Sequence, residues 1–336
     1  MKRKILYIGN KLAAKGATPT SIDTLGPKLA ASGFSLRYAG TKTSKAKRLI
    51  QMLFAIFKNR NWIDYVLIDT YSTQNFWFAY LSARLCVFFQ LKYIPILHGG
   101  NLPYRLKSNP KECDFLFKKS YLNVSPSLYL KEFFNSQGYS VIHIPNAIEL
   151  EKYKFKKREL LRPKLLWVRS FTDLYNPLLA LKILESLKQS FPLAELCMVG
   201  PAKDASLNEC RIYAAKNKLP VTFTGKLSKS EWIALSENYD IFINTSHFDN
   251  FPVSIIEAMA LGLPVVSTNV GGIPYMIEDK TTGFLVEDND LVNFVEKIKF
   301  LLSNSQKIYE ITGNARALVK DFNWSVVENQ WIKILQ

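Results

Sequence analysis

Short, largely apolar runs recur along this chain, and each empties into a glycine-rich or polar loop followed by a helical repeat. Residues 5–9, 65–69 and 93–97 carry the pattern in the first half; residues 164–168, 194–199, 241–243 and 263–268 carry it in the second. A strand that is apolar on both faces belongs in a parallel sheet covered on both sides. Ile22, Leu25 and Leu29, stopped by Gly33, and Leu178, Leu181, Leu184 and Leu187 supply covering helices. Residues 35–39, 121–125, 141–144 and 221–223 read as further strands. The predicted fold class is α/β: two doubly wound, Rossmann-like halves, with a ligand in the cleft between their strand ends. At 336 residues the chain is too long for one core, and Ile144-Pro145-Asn146 marks the division. The expected domains are 1–147 and 163–318, joined by a charged, lysine-rich linker over 148–162, with terminal helical residues over 319–336.

Net charge is +16 and unevenly spread. Residues 1–150 hold 21 Lys and Arg against 7 Asp and Glu, whereas residues 151–336 hold 23 against 21. A basic first half calls for an anionic partner, such as an acidic membrane surface or a phosphorylated acceptor. Lys42, Lys45, Lys47, Arg48, Lys58 and Arg60 bracket the apolar residues 49–57. This predicts an amphipathic helix with cationic ends, suited to acidic headgroups; the plain alternative is a sheet-covering helix with solvated ends. Residues 75–91 form a second apolar, aromatic-rich helix, interrupted by Arg84. No stretch reaches the roughly 18 uncharged apolar residues that a spanning helix needs. Nucleic acid is not an expected partner, because the basic run lacks a stacking arrangement or a known module. Met1-Lys2-Arg3-Lys4 precedes an apolar run too short for a signal segment. Cys86, Cys113, Cys197 and Cys210 show neither CxxC nor histidine spacing. No metal, cofactor or disulfide framework is therefore expected, and a reducing compartment fits. The expected location is cytoplasmic, peripheral on the inner face of the cell membrane.

The chemistry-bearing residues fall where strands end. In the first half these are Gly9 and Asn10, the following loop with Gly16, Asp69 after its strand, and His98 ahead of two glycines. The loop lacks GxGxxG, so it is no dinucleotide fingerprint, yet its amides could meet a phosphate. In the second half, Asp249 and Glu257 bracket seven residues in which a polar loop enters an apolar helix. Unpaired amides near Val253 and Ser254, with the helix dipole, suit a phosphate. A carboxylate at Glu257 can accept from vicinal hydroxyls such as those of ribose. Equally, Ser254-Ile255-Ile256-Glu257 fits a capping box, in which Glu257 only satisfies a backbone amide.

The block from Asp249 through Glu257-Ala258-Met259-Ala260-Leu261-Gly262-Leu263-Pro264-Val265-Val266 resembles the signature of the retaining glycosyltransferases of family 4, which have the GT-B fold. The resemblance continues through Asn269-Val270-Gly271-Gly272-Ile273-Pro274 and Thr282-Gly283-Phe284, and upstream at Phe223-Thr224-Gly225 and Val199-Gly200. Asn323-Trp324-Ser325 resembles the start of the family's last helix, which crosses back to the first domain. The resemblance implies that Glu257 holds the nucleotide ribose and Asp249 the donor sugar hydroxyls. It also implies Arg169 on the diphosphate, His98 on the donor sugar, and Gly200, Gly225, Lys226 and Leu227 beside the nucleotide. Two departures stand out: Asp249 replaces the usual Glu, and Leu174-Tyr175-Asn176-Pro177 stands where the family has a diphosphate-binding lysine. Arg169, the helix dipole and a lysine such as Lys203 or Lys226 would then carry that charge.

The implied activity is transfer of a sugar from a nucleoside-diphosphate sugar, UDP favoured over GDP, with retention and without a metal. The acceptor would be a saccharide or lipid-linked saccharide of a bacterial surface polysaccharide. The alternatives are an epimerase on the same fold, or a weakly catalytic binding or scaffold protein.

Overall fold

The computed structural model describes residues 3–336, so half of the basic Met1-Lys2-Arg3-Lys4 lies outside the described residues. The chain divides into two units. The first comprises residues 1–145 and 327–336, and the second is Asn146–Val326.

The first unit is a six-stranded, wholly parallel sheet of β1 (Lys4–Ile8), β2 (Ser35–Ala39), β3 (Tyr65–Thr70), β4 (Lys92–Leu97), β5 (Asn123–Ser125) and β6 (Val141–His143). The spatial order is β2-β1-β3-β4-β5-β6, so the direction of winding reverses between β1 and β3. Its helices are α1 (Ser21–Ala31), α2 (Lys45–Asn59), α3 (Phe76–Phe88), α4 (Leu102–Ser108), α5 (Pro110–Lys118) and α6 (Leu128–Ser136). Alternate residues of a strand face opposite sides: Leu6, Ile8, Val66 and Ile68 pack into one apolar cluster with Met52, Phe76 and Phe134, while Ile5, Tyr7 and Leu67 are buried on the other face.

The second unit repeats the plan with β7 (Lys164–Val168), β8 (Glu195–Val199), β9 (Val221–Gly225), β10 (Ile241–Asn244), β11 (Val265–Thr268) and β12 (Phe284–Val286). The order is β12-β11-β10-β7-β8-β9, and the winding reverses between β7 and β10. Helices α7 (Pro177–Lys188), α8 (Ser206–Lys216), α9 (Lys229–Ser236), α10 (Val253–Ala260), α11 (Leu291–Ser303) and α12 (Ser305–Val319) cover it. Leu165 and Trp167 enter one cluster with α7 and α11, and Leu166 enters the other with α10. The last helix, α13 (Trp324–Leu335), passes from the second unit into the first at Val327.

Residues 148–162, the charged, lysine-rich stretch, are partly buried in the second unit. Ile148, Tyr153 and Arg158 are buried. The Arg158 guanidinium donates to the carbonyls of Tyr239 (3.1 Å), Leu261 (3.0 Å) and Ser236 (3.3 Å), and lies 3.6 Å from Asp240. Burial lowers its pKa to about 10, against the pull of Asp240. Such a guanidinium is fixed by acceptors on three sides, so this segment is an integral layer of the second unit.

Candidate functional site

In an open parallel sheet, ligands bind beyond the strand ends where the winding reverses. In the second unit that point lies between β7 and β10, and the residues that follow these two strands are Arg169 and the loop carrying Asp249. The two side chains are ion-paired; they are 15% and 11% exposed. Burial lowers the Arg169 pKa, with Tyr175 and Glu257 opposing the shift. Arg169 Nε carries no hydrogen bond, and neither does the buried Ser254 Oγ at the start of α10. Buried donors without acceptors cost free energy unless something fills the site. The first amides of α10 lack intrahelical acceptors by construction. An arginine, a hydroxyl and a helix start therefore frame a place for an anion.

Glu257 settles the capping question. The N-cap of α10 is Pro252, which puts Glu257 five residues into the helix, beyond the reach of a capping box. Its carboxylate is 3% exposed. It accepts from Tyr153 Oη at 2.7 Å and is ion-paired with Lys229, both on Oε1. Oε2 takes no hydrogen bond among the described residues. Burial and the neighbouring Glu257 both push the Tyr153 phenol far up, so it stays a donor. Neither Tyr153 nor Lys229 was a sequence candidate. Tyr153 is 104 residues from Glu257, and Lys229 lies three positions past Lys226 at the start of α9.

The loop after β9 borders this carboxylate, since Lys229 reaches it from there. Gly225 opens that loop with φ 72° and clear space where a Cβ would stand, and its carbonyl accepts from Gly200 N at 2.8 Å. Leu227 packs on the α10 side of the core, and Lys226 is exposed. Gly200 (φ +154°) serves the backbone: a Cβ there would lie 1.8 Å from the Arg169 carbonyl, so only glycine lets the loop carrying Arg169 pass. Lys203 is exposed, and its amide donates to the Phe171 carbonyl at 2.9 Å. Lys229 reaches the Glu257 carboxylate. The Asp249 carbonyl accepts from Gly272 N at 2.8 Å, which ties the Gly-Gly segment to the site loop.

In the first unit, Asp69 lies beneath His98. Its carboxylate is buried, and Oδ1 accepts from Tyr7 Oη and faces His98 Nε2, each at 2.9 Å. Oδ2 has no partner and sits against Gly9, where a Cβ would be 2.4 Å away. Burial, then Asp69, raises the Tyr7 pKa well above its usual value. The Ser21 hydroxyl lies 3.4 Å from His98 Nδ1, and the Tyr71 ring is 5.5 Å from the imidazole. Asp69 thus holds the imidazole from below. The amides of Gly9, Lys11, Leu12, Lys15, Gly16 and Thr20 donate within the loop or to its neighbours. Asn10 accepts Thr20 Oγ1 on its carbonyl (3.0 Å), and Gly16 closes an exposed 3-10 turn. Among the described residues, no cluster of three or more His, Cys, Asp or Glu side chains could hold a metal.

Residues 150–318 match the family model described as glycosyl transferases group 1. The chain is 26% identical over 271 residues to the amylovoran biosynthesis glycosyltransferase AmsK of Erwinia amylovora, a match covering 74% of this chain and 64% of that one. It is 30% identical over 149 residues to the sulfoquinovosyl transferase SQD2 of Arabidopsis thaliana, covering 43% of this chain and 28% of the relative. Among solved structures, Anabaena HepE in complex with UDP and glucose superposes with a TM-score of 0.79 at 17% identity, covering 99% of each chain. A sucrose-phosphate synthase from Thermosynechococcus elongatus also gives 0.79, at 16% identity, over 99% of this chain and 98% of that one. These likenesses establish the α/β GT-B fold.

Proposed function

The chain belongs to the glycosyl transferases group 1, and from that premise we propose that it is a retaining glycosyltransferase using a nucleoside-diphosphate sugar. The observation that carries the reading is that Arg169 Nε and the buried Ser254 Oγ lack acceptors beside the buried carboxylate of Glu257. An anion beside a diol-binding carboxylate is the pattern of a nucleoside diphosphate. We assign Glu257 to the ribose, Asp249 to hydroxyls of the donor sugar, and Arg169 with the α10 amides near Val253 and Ser254 to the diphosphate. His98, held by Asp69, is assigned to the donor sugar. Preorganised donors at the departing diphosphate lower the barrier by stabilising charge as it develops. The leaving phosphate oxygen takes the proton of the incoming hydroxyl, so the reaction balances without an enzyme nucleophile. A UDP-sugar donor is supported by the structural relative bound to UDP and glucose. A saccharide or lipid-linked acceptor in bacterial surface polysaccharide assembly is supported by the relative named for amylovoran biosynthesis.

The test is a thermal-shift screen of nucleotide sugars. One UDP-sugar, at about 100 times its Kd, adds about 2.7 kcal/mol of stability, a rise of several degrees, while the free sugar adds none. No stabilisation by any nucleoside diphosphate would sink the reading.

We also place the first unit at an anionic membrane surface, on the cytoplasmic side. Its exposed side chains support this. Ile50, Phe54 and Phe57 follow one another on the outer face of α2 at 66%, 59% and 48% exposure, flanked by exposed Lys45, Lys47 and Lys58. Phe88 on α3 is 76% exposed. Arg48 differs from its expected place in this basic set. It is buried and donates to the carbonyls of Lys42 (2.9 Å) and Thr43 (3.1 Å). No helix among the described residues is long and apolar enough to cross a membrane. Each lysine near an acidic surface contributes about 1 kcal/mol, screened by salt. The protein is therefore expected to sediment with phosphatidylglycerol vesicles at low salt and to be released at high salt, and Phe54→Glu should abolish the binding. Protein that stays in the supernatant at low salt refutes the placement.

A further inference from the structure

We propose that Tyr175 is the positioning residue that holds the Arg169 guanidinium for its anionic ligand, in a chain with no cation at that turn. This rests on reading the second unit as a diphosphate site. The Arg169 Cζ lies 4.7 Å from the centroid of the Tyr175 ring, a cation–π contact. Asp249 meets Nη2 at one edge of the guanidinium, and the ring covers its face. Nε is left without a partner. A long side chain with an unbonded edge holds one conformation only if its other surfaces are fixed, and here two groups fix them.

The backbone beneath Tyr175 is built to keep the ring still. Tyr175 N donates to the Thr172 carbonyl at 2.9 Å, and His247 N donates to the Leu174 carbonyl at 2.9 Å. The buried Thr245 hydroxyl receives Trp167 Nε1 at 3.0 Å and lies within bonding distance of the carbonyls of Tyr175 (3.0 Å) and Asn176 (2.9 Å). Asn176 then turns left-handed (φ 44°) into α7. The turn is thus anchored to the ends of β7 and β10, the strands that carry Arg169 and the Asp249 loop. Tyr175 adds no charge; it orients the charge that Arg169 brings.

The experiment is calorimetric titration of wild type, Tyr175→Phe and Tyr175→Leu with UDP, uridine and inorganic pyrophosphate. Tyr175→Leu should weaken UDP and pyrophosphate about tenfold, the size of a well-desolvated cation–π contact, and leave uridine unchanged. Tyr175→Phe keeps the ring and should bind like wild type. If Tyr175→Leu does not fold, as judged by its thermal melt, Tyr175→Met replaces it at similar volume. Equal UDP affinity in Tyr175→Leu, a parallel loss of uridine, or a Tyr175→Phe as weak as Tyr175→Leu would each overturn the proposal. Wild type that binds pyrophosphate but neither UDP nor uridine would refute the nucleoside reading, with the role of Tyr175 still decided on pyrophosphate. Wild type that binds none of the three overturns both.

Discussion

Replacing Arg169 with alanine is expected to lower sugar transfer by on the order of 10²–10³, the usual cost of removing one preorganised donor from a developing anion. Most of the loss should fall on kcat, because the charge on a diphosphate grows as the sugar leaves. The donor KM should rise as well, since the ground-state diphosphate is already charged. Arg169→Lys should recover only part of the loss. Lysine keeps the charge but lacks the planar fork that spans a carboxylate on one edge and stacks on Tyr175 with its face. The substitution also strips the largely buried Asp249 of its counter-charge, so a lower Tm is expected alongside. Asp249→Asn in the Arg169→Ala background separates the two effects: it should restore part of the Tm and none of the turnover. Steady-state kinetics on the identified donor decide the matter, and a change of threefold or less in kcat/KM for Arg169→Ala would remove the residue from the mechanism.

What the sequence made legible, and what it hid, divides along a physical line. Strands buried on both faces announce themselves as apolar runs, so β2 and β7 match their expected spans, and most of the others differ by one or two residues. Helices α4 and α5 are short and carry Pro103 and Pro110; both stand in the first turn, where a missing N–H is harmless. Asp249 and Glu257 stood out as two acids bracketing a polar loop that enters an apolar helix, and Arg169 was singled out only through the family resemblance. Their partners were not legible. Tyr153 comes from a charged, lysine-rich stretch, which Arg158 and Arg316 tie to the second unit so that its ring reaches Glu257. Asp69 was legible as a strand-end acid, yet its work beneath His98 depends on β3 and β4 being neighbours in the sheet. Local pattern finds the residue; sheet order decides what it touches.

Glu257 tests whether the site binds a nucleoside or only balances its own charges. Removing the carboxylate with Glu257→Ala strands the buried Tyr153 hydroxyl and releases Lys229. An unsatisfied buried group alone costs about 1–3 kcal/mol, so this variant should melt lower whatever the role of Glu257, and its stability is uninformative. Glu257→Gln discriminates. Its side-chain carbonyl still accepts from Tyr153, while the negative charge is lost and the second acceptor oxygen becomes an NH2 donor. If Glu257 merely neutralises Lys229, which is more than half exposed and so screened, Glu257→Gln should change Tm little and leave nucleotide binding intact. If it receives the two ribose hydroxyls through Oε2, hydrogen bonds to a charged acceptor are lost. The donor KM should then rise at least about tenfold, at roughly 1.5–3 kcal/mol for a bond to a charged group. Inorganic pyrophosphate, which has no ribose, should bind to wild type and Glu257→Gln alike. A Glu257→Gln enzyme with wild-type donor KM would leave Glu257 as an internal ion pair and shift the nucleoside to other residues. A selective loss of UDP with pyrophosphate unaffected places the ribose on Glu257, because no effect on folding or on the anion site distinguishes those two ligands.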